Sequence, residues 1–141
     1  MKFQLYLAIG GEHFDVQAFS TAVNAPNSVI KRIGERGHQI DPERFPVWDV
    51  WQSERIEGSN HPGDDVKALL RANMRATTIW RDSCWSAASK WVAVIGQYIE
   101  GESPRGFSFD ANTVSSLAAV GCSIEIDMVL DKDELLKLAG G

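Results

Sequence analysis

Between Ser123 and Leu130 the chain changes side at every residue: Ile124, Ile126, Met128 and Leu130 fall on one face, and Ser123, Glu125, Asp127 and Val129 on the other. Successive side chains of a strand point to opposite faces, so this period of two reads as a strand with one apolar and one wet side. Phe3, Leu5, Leu7 and Ile9 repeat the pattern against Gln4, Tyr6 and Ala8 near the other end. Strands of this kind belong to a sheet that is covered on one face only. An all-parallel sheet buried on both faces is thereby disfavoured.

The segments between the two strands supply the cover. Gly10-Gly11 ends the first strand, and Asp15 is placed to cap a helix with Val16, Phe19 and Val23 on its inner side, closed by Pro26. Ser28–Ile33 reads as a brief β-branched strand, and 34–46, with two Gly and two Pro, as a long loop. Val47–Ser53 reads as a strand and Glu57–Gly63 as a turn. From Asp64, carboxylates favour a helix start, and Val66, Leu69, Leu70, Asn73 and Met74 share one side. Continuation through Ile79, Trp80, Cys84 and Ala88 implies one long kinked helix or two short ones. Trp91–Ile99 is apolar enough for a central strand. Asp110 offers a second cap, Val114, Leu117 and Ala118 give helical spacing, and Gly121 stands at the helix exit.

The expected fold is therefore α+β, a single domain over residues 1–131. Its sheet has four or five mostly antiparallel strands with helices packed on one face, a two-layer sandwich related to the ferredoxin-like fold. Residues 132–141 form a tail in which Leu135, Leu136 and Leu138 suit a short helix. At 141 residues the chain has room for one core.

Charge narrows the partners. Fourteen Lys and Arg face nineteen Asp and Glu, a net charge of −5, and residues 101–141 carry −4 of it. Such a balance repels phosphate backbones, so nucleic acid is not expected as a partner. No apolar run is long enough to cross a membrane. The first nine residues read as a strand rather than a signal peptide. Cys84 and Cys122 lie in no CxxC or Cys/His cluster, which points to a reducing cytoplasm.

Three stretches, YLAIGGEHFDVQAFS, VWDVWQSE and FSFDANTVSSLAAVGCSIEIDMVL, resemble the DUF4279 family of small bacterial domains. In that family a first strand ends in a glycine–acid turn before a helix, and a last strand alternating with acids follows a helix that closes on L-A-x-x-G. The resemblance implies the same α+β fold. It implies no activity, because the family is defined without one.

The residues that carry chemistry do not assemble into a catalytic set. His13, His38 and His61 have no partner at HxxxH or HExxH spacing, and no glycine pattern cradles phosphate. No metal or cofactor is expected. His13 with Asp15, and Glu125 with Asp127 on one strand face, are the two pairs open to acid–base work. Lys67, Arg71 and Arg75 form a basic stripe at helical spacing, read as a solvated face. Trp80, Trp85 and Trp91 are expected between helices and sheet, and Cys84 as a buried thiol. Trp48 and Trp51 differ in parity, so one of them faces outward. Tyr6, Gln97, Glu125, Asp127 and whichever of Trp48 and Trp51 is exposed form the candidate partner-binding set. Aromatic and amide side chains rimmed by acids are suited to protein recognition.

The expected function is a non-enzymatic protein-binding domain, an immunity or antitoxin type that occludes a basic toxin. The alternative is an enzyme or sensor for small molecules built on one of the two pairs. Both thiols are expected to be free: the unreduced protein should have the mass of the reduced chain, and a mass lower by two hydrogens would contradict this.

Overall fold

The alternation of residues 3–9 becomes β1, Lys2–Gly10, which lies in the middle of the sheet. The computed structural model describes residues 2–32, 48–59, 61–98, 100–101 and 108–130. The predicted loop at 34–46 and the predicted helix in 132–141 lie outside the described residues. β1 pairs antiparallel with β5 (Ser89–Tyr98) along its whole length, from Lys2 opposite Gln97 to Gly10 opposite Ser89. On its other side it pairs with β3 (Val50–Gln52) and β4 (Ile56–Glu57), and β3 pairs with β2 (Val29–Lys31). β6 (Ser123–Leu130) joins β5 in parallel. The order is β2-β3-β1-β5-β6, with β4 also on β1.

Among the described residues the sheet thus has six strands, one or two more than the sequence reading. β4 adds only two residues at the edge of a stretch read as a turn, too few to show a period. The parallel pair of β5 and β6 needs a crossover, which α4 (Ala111–Ala119) supplies. α1 (Val16–Val23), α2 (Pro62–Ala72) and α3 (Met74–Arg81) pack on the same side. The helical stretch divides into two rather than kinking. Asn73, at φ −110° and ψ 23°, breaks it while its Nδ2 donates to the Leu69 carbonyl at 3.0 Å.

Register places the core. Leu5 stands opposite Val94 and Ile56, Leu7 opposite Val92, and Ile9 opposite Trp51. All of these but Ile56, which is half-buried, are closed to solvent, as are Val16, Phe19, Val23, Val66 and Leu69 above them. Phe19 meets Trp51 and Trp85 edge-on, each at a centroid distance of 5.4 Å.

Both predicted caps form. Asp15 accepts the Ala18 N–H at 3.0 Å, and Asp110 accepts the Thr113 N–H at 2.8 Å and its hydroxyl at 2.7 Å. α4 nevertheless turns Thr113 inward, fully buried, and leaves Val114 54% exposed, against the predicted spacing. Asp110 satisfies the Thr113 hydroxyl, so its burial leaves no bond unmade. On the facing helix Gly63 makes room: a Cβ there would lie 2.9 Å from Thr113 Oγ1.

Two other expectations are corrected. Cys84 is exposed, because a short 3₁₀ turn (Cys84–Ala87) begins there instead of a continuing helix. Arg75 leaves the basic stripe: its guanidinium donates to the carbonyls of Val23 at 2.9 Å and Ala22 at 3.2 Å, closing the end of α1.

Between the β3 and β4 pairings, Ser53–Arg55 lie opposite only Tyr6 and Leu7, a bulge in the ladder. Ser53 repairs it. Its N–H donates to the Leu7 carbonyl at 2.8 Å, and its Oγ accepts the Leu7 N–H at 2.9 Å. Ser53→Ala strands a buried N–H and should cost about 1–3 kcal/mol in a urea melt. Unchanged stability would show that the bulge closes without the hydroxyl.

Candidate functional site

With every described helix on one side, the other face of the sheet carries the even residues of β1 and the odd residues of β5 and β6. Register sets Tyr6, Ala93 and Glu125 in one row and Gln4, Ile95 and Asp127 in the next, with Gln97 beside Lys2 and Val129. Tyr6, Gln97, Glu125 and Asp127 therefore share a face, as the sequence predicted. Trp48 joins them through its ring contact with Trp91, at 6.4 Å between centroids. Trp51 does not. It is fully buried between the sheet and α1 and leaves the candidate set.

Trp91 was expected inside and is found on the open face, half-buried. Parity already said so: Trp91 and Gln97 are six residues apart in one strand and must point the same way. Trp91 lies across the end of β1, where a Cβ on Gly10 would be 3.5 Å from its ring and 2.9 Å from Val50 Cγ2. Glycine at position 10 lets Trp91 and Val50 close over the backbone. Trp48, Trp91 and Val50 make a small apolar cluster at that end of the face.

The middle of the face is polar and aromatic. The bulge at Ser53–Arg55 turns Arg55 back over the sheet, with its guanidinium 4.9 Å from the Tyr6 ring centroid and NH1 donating to Gln4 Oε1 at 3.3 Å. Burial raises the Tyr6 hydroxyl pKa; the Arg55 charge opposes this and the Asp127 and Glu125 charges reinforce it. The phenol thus stays protonated and available as a donor. Arg55 carries no signal in the sequence, since a bulge has no residue period to reveal it.

The other candidate pair is divided. Asp15 serves as the α1 cap, whereas His13 is exposed beside a cleft of about 190 Å³ that Glu12, Phe14, Cys84, Trp85 and Ala88 also line. His61 is exposed before α2, and His38 lies outside the described residues. Among the described residues no three His, Cys, Asp or Glu side chains gather as a metal site would need. None of the described helices is long and apolar enough to cross a membrane.

The profile of the family described as Domain of unknown function (DUF4279) matches residues 1–131. The chain belongs to the DUF4279 family. No curated protein and no solved structure matches it. In this DUF4279 chain the caps, the glycine turn and the acid-bearing last strand all have structural work, so the family likeness accounts for the fold.

A lysine also sits on the covered face. Lys90, opposite Ile9, is 3% exposed, and its Nζ lies 3.6 Å from the Trp80 ring centroid with no hydrogen-bond partner among the described residues. Burial lowers its pKa to about 8, while burial raises the nearby Cys122 thiol to about 11. The native chain gives up the Lys90 proton near pH 8, yet the unfolded chain keeps it to about 10.5, so stability should rise from pH 8 to pH 9. Above that, the unfolded Cys122 ionises while the native thiol stays protonated, and the trend is opposed. Lys90→Met should raise stability at pH 7 by roughly 1–2 kcal/mol and abolish the rise. Denaturant melts at pH 7, 8 and 9 measure both; an identical pH profile in the variant would contradict the assignment.

Proposed function

We propose that this DUF4279 chain is a non-enzymatic binding module whose working surface is the open sheet face, and that its ligand is another protein. The observation that carries the reading is the make-up of that face: Trp48 and Trp91 at one end, Tyr6 under Arg55 in the middle, and Glu125 and Asp127 along the β6 side. Aromatic rings and arginine are the side chains that dominate protein interfaces, and flanking carboxylates select a basic partner and speed its approach.

In its specific form the module is an immunity or antitoxin protein of the bacterial cytoplasm, which neutralises a basic toxin by covering it. The alternative, an enzyme or sensor for a small molecule built on His13/Asp15 or Glu125/Asp127, is less well supported, since Asp15 of the first pair is committed to the α1 cap.

The test is affinity capture from the native host with the wild-type chain and with Trp48→Ala, followed by kinetics on the recovered partner. A basic partner should be captured by the wild-type chain and lost from Trp48→Ala, with both chains melting alike. Reversal of Glu125 and Asp127 to Lys should slow association and flatten its dependence on salt. Co-expression of the wild-type chain should relieve any growth arrest that the partner causes. Capture that ignores Trp48, with unchanged kinetics in the charge reversal, overturns the reading.

A further inference from the structure

β6 ends the sheet on its side, and among the described residues only β5 pairs with it. In a parallel pair alternate residues bond inward to the neighbour, and the N–H and C=O groups of the residues between them point outward. Along eight residues that outer edge is bordered by two kinds of side chain. Glu125 and Asp127 stand on the open face, whereas Ile126, 43% exposed, and Met128, 37% exposed, stand on the helix side. The Met128 thioether folds over Gly96, where a Cβ would clash with it, so the apolar border is held close to the sheet.

A long strand edge with apolar flanks is a template for another strand. A second copy of this chain fits it poorly. Two β6 strands paired antiparallel about Ile126 would set Glu125 of each against Asp127 of the other, and like charges directly opposed in a ladder repel. The same arithmetic favours a strand of opposite sign. We propose that the β6 edge takes up an extended segment of a partner protein in which Lys or Arg alternates with apolar residues. Its basic side chains meet Glu125 and Asp127 on the open face, and its apolar ones lie against Ile126 and Met128. The proposal rests on the binding-module reading and gives it a partner chemistry.

The probe is a fluorescent peptide of alternating Lys and Val, long enough to span β6. Two controls accompany it, one of alternating Glu and Val and one Lys–Val peptide N-methylated along one edge. The full chain should bind the Lys–Val peptide saturably and more weakly as salt rises, and should ignore both controls. Binding should slow hydrogen exchange at outward amides of residues 123–130. Glu125→Lys/Asp127→Lys, with its melt as a check on folding, should weaken the Lys–Val peptide by about tenfold or more and take up the Glu–Val peptide instead. Absence of saturable binding, indifference to N-methylation, or exchange protection confined to other strands overturns the proposal. If the native partner still depends on Trp48 when the peptide fails, the edge proposal falls and the binding-module reading stands. If capture ignores Trp48 while the peptide binds as described, the edge is the site and the open face is not.

Discussion

The antiparallel pairing of β1 with β5 is the interaction on which the rest of the structure depends. Its nine-residue register runs without a break and assigns both faces of the sheet at once. Leu5, Leu7, Val92 and Val94 are committed to the helix side, and Tyr6, Ala93, Trp91 and Gln97 to the other. A slip by one residue would exchange the two sets and expose the core, so burial of the apolar face holds the polar face in place. The β3, β4 and β6 pairings then extend surfaces already defined by this central pair.

The open face owes its character to two local departures from regular structure. Gly10 lacks the side chain that would keep Trp91 and Val50 apart, and the bulge at Ser53–Arg55 delivers Arg55 onto Tyr6. One departure builds an apolar end and the other a charged, aromatic middle. Both are anchored from the buried side: Val50 neighbours Trp51 in the core, and Ser53 is itself buried and holds both polar backbone groups of Leu7. The make-up of one face is therefore tied to packing on the other. Lys90 illustrates the reverse coupling, a cation admitted to the covered face because the Trp80 ring, fixed by its Nε1 bond to the Ala88 carbonyl at 3.0 Å, lies against it.

Much of this was legible in the residues alone, because it rests on local periods and local bonds. The strands at residues 3–9 and 123–130, the caps at Asp15 and Asp110, the glycine at 121 with its φ of 65°, and the common side of Glu125 and Asp127 all follow from spacing within one element. The DUF4279 likeness rests on the same local features. What escaped depends on groups distant in the chain. Parity shows that Trp48 and Trp51 point in opposite directions, but it cannot say which side the helices will cover. Trp51 is inside because Phe19 of α1 meets it there. Thr113 displaced Val114 from the core because Gly63, fifty residues earlier, left room for it. Arg55 joined the site because the ladder bulges, and Cys84 reached solvent because the helix before it stops at Arg81.

The sequence by itself therefore determined the element types, their caps, the α+β class and the membership of each strand face. Those are set by steric alternation and by hydrogen bonds that span a few residues. The tertiary structure alone decided which face became the core, which of Trp48 and Trp51 it enclosed and how Arg55 came to lie on the open surface. These choices depend on volumes and charges that only long-range packing brings into contact.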